Sequence, residues 1–506
     1  MDMPPMYYQA YDYVVIGAGT AGPVVASRIS ENSAVKVAIL EAGGENTNDL
    51  SRMPGVFSKV WRTDYDWQYN TIPQMGLNGR TIYHPRGRVV GGSSAINIGA
   101  WLRGVKKDYE WEQYGAMGWN WQTAQELFTS VIEDTDLGPN EYRGRGGMVY
   151  MTDAMQYGDV TDKLIDSFVA VGFGGMDDPY GADPFNARRM QIIYQDHRRK
   201  TPADSYLSEN VRARDNLDVI TGAMVTRIIF DERRATGVEF IKDGKTHIMP
   251  VNGEVILSAG TYNTPKILML SGVGPVDEIT RHCIDAVANV PGVGQNLSDH
   301  IFVHFRVLAP EGMDYSLPMS IITNDESIKL WREFKTGPAD YFTENTIGLM
   351  KLDDASETPD FELIFGFNSG GTSDMLEFAN ISNLDGRSGY SIGVVLLQPE
   401  SRGSVTLESS DPMAKPIIDP NYLGNANDVQ KFVAGVRKTM DIFDADAIRP
   451  YTDIIRISPE STDGEIENLI RTSLSTTFHP VGTARMGNFD DPMVVVDSDL
   501  RVRGLD

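Results

Sequence analysis

The chain has 506 residues, of which 41% are hydrophobic and 23% are charged, and its formal net charge is -25. This length is too great for one simple core, so we expect a globular protein with more than one lobe. The strong negative charge argues against binding to nucleic acids or to anionic membrane surfaces, because both attract basic proteins.

The first elements along the chain form a dinucleotide-binding pattern. A β-branched run at 13–16 predicts a buried parallel strand, a glycine-rich turn follows it, and a predicted helix extends to about residue 29. A second buried strand covers 35–40 and ends at Glu41. The turn contains Gly17, Gly19, Thr20, Ala21 and Gly22.

The spacing of these glycines has a physical explanation. The first glycine permits a tight turn, the second lets the backbone approach a pyrophosphate, and the third lets the helix pack on the strand. The helix N-terminus offers N–H groups and a positive dipole potential to phosphates, and Glu41 is placed to accept hydrogen bonds from ribose hydroxyls. The pattern predicts a dinucleotide site, with a purely structural turn as the alternative. It does not distinguish FAD from NAD.

A second glycine-rich stretch covers 85–97 and contains Gly91, Gly92 and Ser93. Two glycines followed by small hydroxyl residues make a loop that can lie against a flat ring and offer it backbone N–H groups. An ordinary turn is the alternative interpretation.

The middle of the chain alternates short apolar runs with turns, which is typical of β-structure. We predict a β-meander with strands at 216–220, 225–230, 236–241 and 245–250. A buried strand at 254–257, a glycine-rich turn and a helix at about 264–270 follow. Further on, a separate α+β lobe is predicted from strands at 360–367, 391–398 and 404–408 and helices at 426–444 and 463–472.

Four stretches resemble, in the same order along the chain, the glucose–methanol–choline (GMC) family of FAD-dependent oxidoreductases. Residues 85–97 and 260–274 are similar to two family signatures, 292–300 resembles a segment beside the flavin, and 479–487 resembles the loop of the catalytic histidine. They are distributed in family order across nearly the whole chain, which is therefore identified as a member of this family.

The resemblance implies an α/β fold in which a Rossmann-like FAD-binding lobe is interleaved with an α+β substrate lobe built on an antiparallel sheet. The expected FAD-binding segments are 9–157, 207–304 and 475–506. The expected substrate-binding segments are 158–206 and 305–474. We expect the active site between the lobes, with the flavin ring at its floor.

The resemblance also implies which residues contact FAD. Beside the dinucleotide turn and Glu41, the expected contacts are Arg88, Gly91, Gly92, Ser93, Asn97 and Val225. The backbone of Val225 corresponds to one that meets the adenine in relatives, and a core valine is the alternative. Some members attach FAD through a histidine directly before the asparagine. This chain has Ile96 there, so we expect noncovalent FAD.

The predicted reaction is the oxidation of an alcohol to an aldehyde or ketone by an alcohol oxidase or dehydrogenase. Flavin N5 would accept the hydride, and a base must remove the hydroxyl proton. Histidine titrates near neutrality, so we expect His479 to be the base, with a structural histidine as the alternative. His300 and His304 lack a third ligand, so no metal is expected. No G-x-S-x-G pattern supports a serine hydrolase.

The substrate side of the prediction is broader. We expect a small-molecule alcohol, and oxygen or another electron acceptor. Aromatic residues favour an apolar or aromatic alcohol, although most of them also suit a core: Phe361, Phe365, Phe367 and Tyr390. The sequence indicates neither the particular alcohol nor the oligomeric state.

Two alternatives to this activity stay open. The first is an FAD-containing hydroxynitrile lyase of the same fold. The second is a C-terminally truncated, inactive member. In relatives, the stretch that corresponds to 496–506 is followed by a strand, a flavin-contacting turn and a second catalytic residue, so we expect impaired FAD retention and turnover.

Cysteine content and the N-terminus bear on localisation. The single cysteine, Cys283, excludes an intrachain disulfide, and the first ten residues lack the basic and apolar regions of a signal peptide. We expect a cytoplasmic protein, with a mature secreted form as the alternative. No apolar run reaches the roughly 18 residues typical of a membrane-spanning helix.

Overall fold

The computed structural model describes residues 5–155, 158–174, 185–315, 317–342, 344–366, 388–455 and 459–506. Two seven-stranded sheets dominate it. The first, which we call the mixed sheet, has the strand order Leu217–Thr221, Val37–Glu41, Tyr11–Ile16, Lys245–Leu257, Arg234–Lys242 and Met224–Asp231, with Met6–Tyr7 paired to Lys245–Leu257.

The mixed sheet joins a parallel half to an antiparallel half through one long strand. Lys245–Leu257 pairs antiparallel with Arg234–Lys242. From Val251 onward it pairs parallel with Tyr11–Ile16, with a bulge between Val251 and Glu254. The sequence predicted two separate strands here. The predicted meander also loses its first strand, because Leu217–Thr221 pairs parallel with Val37–Glu41.

Residues 254–257 form a strand as predicted and pair parallel with residues 13–16, but the predicted burial of this strand is wrong. Val255, Ile256 and Leu257 are only half-buried, and all three belong to the wall of a cavity. The run is apolar, as in a buried strand, but one side of the strand faces the cavity instead of other protein atoms.

The second sheet, the antiparallel sheet, has the order Ile454–Ile455, Ile301–Leu308, Gly389–Leu396, Phe361–Gly366, Glu344–Met350 and Ala187–Arg189, with Ser475–Thr476 paired to Ile301–Leu308. Phe361, Phe365 and Tyr390 are fully buried in the largest hydrophobic core, which also includes residues of the helix Ala426–Phe443. These aromatic residues are therefore core residues, as the alternative interpretation held. Phe367 lies outside the described residues.

Shorter elements connect the two sheets. The helices are Gly22–Ile29, Trp121–Leu127, Val160–Ala170, Pro202–Tyr206, Glu209–Arg212, Gly260–Leu270, Val276–Arg281, Met319–Ile322, Asp325–Phe334, Ala426–Phe443 and Asp463–Ser473. A four-stranded sheet has the order Ala100–Trp101, Gln191–Ile192, Val149–Asp153 and Glu133–Thr135. The strand pairs are Tyr194–Gln195 with Arg198–Arg199, Val273–Gly274 with Ala288–Asn289, Ser404–Thr406 with Ile417–Asp419, and Tyr69–Asn70 with Tyr83–His84.

This architecture confirms the predicted α/β fold with two interleaved lobes built on different sheets. The four-stranded sheet draws strands from both predicted lobes, so the exact division of the chain stays a prediction. Among the described helices, none combines the length and apolar character that crossing a bilayer requires.

Candidate active site

A cavity of about 1100 Å³ opens where the parallel strands of the mixed sheet end at their carboxyl termini. This is the edge at which open α/β sheets bind ligands, and the volume slightly exceeds the usual range of about 300–1,000 Å³ for small-molecule sites. Of the residues predicted to contact FAD, the wall includes Gly17, Gly19, Thr20, Ala21, Glu41, Gly92, Ser93 and Val225. Those that lie outside the wall are Gly22, Arg88, Gly91 and Asn97.

The first glycine turn cannot carry side chains at its two ends. Gly17 has a φ of +101°, and a Cβ there would lie 2.6 Å from the carbonyl oxygen of Ser258. A Cβ on Gly22 would lie 1.9 Å from the carbonyl oxygen of Gly17, so Gly22 serves the packing of the helix on the turn. Thr20 and Ala21 are exposed. No side chain caps the N-terminus of the helix Gly22–Ile29, where Pro23 has no N–H and the N–H groups of Val24 and Val25 donate to the carbonyl oxygen of Ala21. The positive end of the helix dipole and the N–H groups of the exposed turn are what remain for a ligand.

The second glycine loop packs directly against the first. The N–H of Gly91 donates to the carbonyl oxygen of Ala18 over 2.8 Å. A Cβ on Gly92 would lie 2.6 Å from the Cα of Gly19. Ser93 follows, and its Oγ accepts a hydrogen bond from the N–H of Gly87. Two distant parts of the sequence thus form one continuous backbone surface on the cavity.

Glu41 already holds this turn together. Its carboxylate accepts hydrogen bonds from the N–H of Ala18 over 2.9 Å and from the N–H of Gly43 over 2.8 Å. Burial raises the pKa of Glu41 to about 7, against the lowering effect of these hydrogen bonds and of Arg88. Each carboxylate oxygen retains a second lone pair, so the predicted ribose contact is compatible with this structural role.

Arg88 supplies a half-buried cation near the turn. Its guanidinium lies over the ring of Trp67, 5.1 Å from the ring centroid, and its buried Nε has no hydrogen-bond partner in the protein. An unpartnered buried donor is costly. A phosphate would satisfy it, and would also suit the positive end of the helix dipole. The cradle without Cβ atoms, the open helix end and this arginine fit a dinucleotide such as FAD.

The location of Val225 is compatible with both interpretations that the sequence left open, a cofactor contact and a core valine. It is buried in the hydrophobic core of the mixed sheet, and it also belongs to the cavity wall.

Asn97 is exposed, and a buried arginine fixes its orientation. The guanidinium of Arg199 donates to both the side-chain oxygen and the backbone oxygen of Asn97. It also donates to the carbonyl oxygens of Ser51 and Ser94 over 2.8 and 3.1 Å. The side-chain oxygen of Asn97 further accepts from the N–H of Gly99. With its oxygen engaged in this way, the asparagine presents its NH₂ group as a donor.

His479 lies where the chain returns to the cavity, because Val481, Gly482 and Thr483 form part of the wall. Its ring is exposed, and its Nδ1 lies 3.2 Å from Nδ1 of His300 and 3.1 Å from Oγ1 of Thr477. The surrounding protein atoms, which limit hydration of the ring, together with His300 and Arg86, lower the pKa of His479. The ring is therefore neutral near pH 7 and can accept a proton.

A buried hydrogen-bond network lies directly behind this loop. Asp299 accepts hydrogen bonds from the N–H of His479 and from the hydroxyls of Thr476 and Tyr422. Tyr422 contacts His84, whose other ring nitrogen contacts the hydroxyl of Tyr262.

Sequence reasoning missed several of these residues. Asp299 and His300 lie within 292–300, which resembles a family segment, so that resemblance was the one available signal for them. Arg199 and Tyr422 stand in no recognisable motif. Among the described residues, no group of three or more histidine, cysteine, aspartate or glutamate side chains is arranged to hold a metal ion.

Known proteins resemble this chain throughout its length. A family model described as GMC oxidoreductase matches residues 11–302, and a second with the same description matches residues 399–506. The alcohol dehydrogenase [acceptor] of Pseudomonas putida is 34% identical over 511 residues, which cover 98% of this chain and 89% of that protein.

Two solved structures extend the likeness to the fold. Pyridoxine 4-oxidase from Mesorbium loti has a TM-score of 0.86 and 26% identity, and the match covers 98% of this chain and 92% of that chain. Formate oxidase from Aspergillus oryzae, solved in a study of FAD modification, has a TM-score of 0.87 and 26% identity, with 100% and 93% covered.

Proposed function

Because the chain belongs to the GMC oxidoreductase family, we propose that it oxidises the hydroxyl group of a small alcohol, with noncovalent FAD as its cofactor. GMC oxidoreductases are FAD-dependent. The observation that carries the proposal is that one cavity connects the glycine cradle with the loop of His479. The name of the Pseudomonas putida relative supports an alcohol as the substrate, and either oxygen or another acceptor would reoxidise the flavin.

We assign the cofactor contacts to residues of the glycine turns and their surroundings. The N–H groups of Thr20 and Ala21 and the guanidinium of Arg88 would bind the phosphates. Glu41 would accept from ribose hydroxyls, Val225 would meet the adenine, and Asn97 would donate to the flavin ring. FAD is assigned as noncovalent because the side chain of Ile96 is buried and unreactive. The backbone carbonyl oxygen of Ile96 accepts a hydrogen bond from the indole of Trp61.

The lobe assignment has similar support. Every residue in the cavity wall falls within 9–157, 207–304 or 475–506. We assign cofactor binding to these segments and substrate binding to 158–206 and 305–474.

His479 would act as the base. Bound FAD would supply the hydride acceptor that alcohol oxidation requires. Nδ1 of His479 faces His300 and Thr477, so we assign Nε2 as the nitrogen that takes the hydroxyl proton. A neutral imidazole is the form that can do so, and the lowered pKa of His479 favours this form.

The test is anaerobic mixing of the purified flavoprotein with a panel of primary and secondary alcohols, aromatic and aliphatic. We expect at least one alcohol to bleach the flavin absorbance at a rate that saturates with concentration. If FAD is bound and no alcohol reduces it, the proposal fails. Release of cyanide from mandelonitrile by the same preparation would then identify a lyase.

A further inference from the structure

The residue before His479 has a strained backbone. Phe478 has a φ of +64°, which a bulky residue rarely adopts. Its N–H donates to Oγ1 of Thr476, and its carbonyl oxygen accepts from the guanidinium of Arg86. Strained conformations persist only where the surrounding structure determines them, and they concentrate at functional sites. The direction of the His479 side chain depends on this turn.

One buried carboxylate holds both ends of the turn. Asp299 is 5% exposed. Its Oδ1 accepts from the N–H of His479 over 2.8 Å, and its Oδ2 accepts from the hydroxyl of Thr476 over 2.6 Å. The hydroxyl of Tyr422 donates to the same Oδ2 over 2.6 Å. Thus a single side chain binds the residues on either side of the strained position.

The proton positions behind Asp299 follow from this arrangement. Because Tyr422 donates its hydroxyl proton to Asp299, the 3.0 Å contact with His84 requires Nε2 of His84 to be the donor. Nδ1 of the neutral ring is then an acceptor, so Tyr262 donates to it over 2.8 Å. Burial, with Arg86 nearby, lowers the pKa of His84 to about 3, consistent with a neutral ring. Every donor in this chain points toward Asp299.

We propose that Asp299 is a positioning residue for the reaction, because its carboxylate holds the strained turn that orients His479 toward the substrate. This proposal rests on the proposed function of His479 as the base. Both carboxylate oxygens of Asp299 face hydrogen-bond donors. In an asparagine at this position, the NH₂ group replaces one of these oxygens and would therefore face a donor. A hydrogen bond that holds the turn would then be replaced by a repulsive contact.

The protonation state of Asp299 makes the proposal measurable. The groups that face the carboxyl are the hydroxyls of Thr476 and Tyr422, the N–H of His479 and, at longer range, Arg86. Burial dominates and raises the pKa of Asp299 to about 6. Since the pKa of His479 is lowered instead, protonation of Asp299 should limit turnover on the acid side. We expect turnover to fall as the pH falls through about 6.

Folding stability should respond in the opposite direction. A carboxyl whose pKa is raised in the folded state binds more protons there than in the unfolded chain, so its contribution to stability increases as the pH falls through the same range. A loss of turnover near pH 6 without a loss of thermal stability therefore separates positioning from acid unfolding.

The experiment compares Asp299→Asn with Asp428→Asn in the FAD-loaded protein. Asp428 is the matched control, because it is a buried carboxylate that accepts from the N–H groups of Glu400 and Ser401. We expect Asp299→Asn to lower kcat on the order of 10- to 100-fold, the scale of a small misplacement, with KM and flavin content nearly unchanged and the acid limb near pH 6 abolished. Asp428→Asn should retain both kcat and the limb.

Hydrogen–deuterium exchange of the peptide covering 475–482 provides a readout that needs no activity. Exchange should increase in Asp299→Asn and not in Asp428→Asn. An Asp299→Asn protein with wild-type kcat, acid limb and exchange would overturn the proposal. If no alcohol reduces the wild-type flavin, the proposed function fails, and exchange still decides whether Asp299 holds the turn.

A second variant covers the case in which Asp299→Asn does not fold. Tyr422→Phe removes a hydrogen bond that lowers the pKa of Asp299, so the acid limb of kcat should move to higher pH. A limb at the wild-type position would contradict the proposal.

Discussion

Three buried side chains near the cavity bind backbone groups of the loops that form the site: Glu41, Arg199 and Asp299. Each satisfies at least two polar groups that would otherwise be buried without partners, and removing one partner of such a set costs more than the bond itself is worth. These side chains therefore act on the site through the loops, whereas the exposed Asn97 and His479 are the residues in a position to meet ligands.

His479→Ala tests the proposed base. We expect turnover to fall by about 100- to 10,000-fold, the usual scale for the loss of a positioned base. Flavin content should change little, because the ring contacts His300 and Thr477 and stands apart from the glycine cradle. The measurement is the rate of anaerobic flavin reduction by an alcohol, with His282→Ala as the histidine control. A wild-type rate in His479→Ala would assign the base to another group.

The glycine turns show why sequence patterns predicted individual strands and helices better than they predicted the contacts between these elements. Alternation and β-branched runs placed the strand Tyr11–Ile16 and the helix Gly22–Ile29 correctly, since both depend on neighbours in sequence. The pairing of the two glycine loops was not predictable in this way. Nor was the contact of Arg199 with Asn97, which are 102 residues apart. The long strand Lys245–Leu257 was predicted as two strands, because the residues of its bulge resemble a turn in sequence.

Gly92→Ala should disrupt the surface that the two loops form together. A Cβ at Gly92 would lie 2.6 Å from the Cα of Gly19, and the obstructing atoms are backbone, which cannot rotate away. We expect the variant to fold with much less bound FAD, because the loops must separate at the cradle.

Gly44→Ala is the matched control, since a Cβ there meets no atom within 4 Å. The flavin-to-protein ratio after gel filtration is the measurement. Full flavin occupancy in Gly92→Ala would show that the close approach of the loops is not needed for binding.

The cavity wall gathers residues from segments that are far apart along the chain, including parts of 16–21, 86–93, 223–230, 253–268 and 481–506. A ligand that fills it contacts all of these segments at once and binds only the folded chain. Ligand binding and the packing of these segments against one another are therefore coupled, as expected for any ligand selective for the native state. The net charge of -25 opposes compaction through self-repulsion, so the packing of these segments must overcome it.

Noncovalent binding predicts that FAD both leaves and restores the folded protein. Acid precipitation should release yellow flavin into the supernatant, because the buried Ile96 offers no nucleophile for attachment.

Apoprotein prepared by mild flavin removal should unfold at a lower temperature than the holoprotein. Added FAD should raise that temperature progressively, with about 2.7 kcal/mol of stabilisation at a concentration 100 times the Kd. Riboflavin is the control, since it lacks the pyrophosphate for which the glycine turn, the open helix end and Arg88 are suited, and it should stabilise much less. Flavin that remains in the acid pellet would disprove noncovalent binding, and equal stabilisation by riboflavin would show that the cradle does not bind the phosphates.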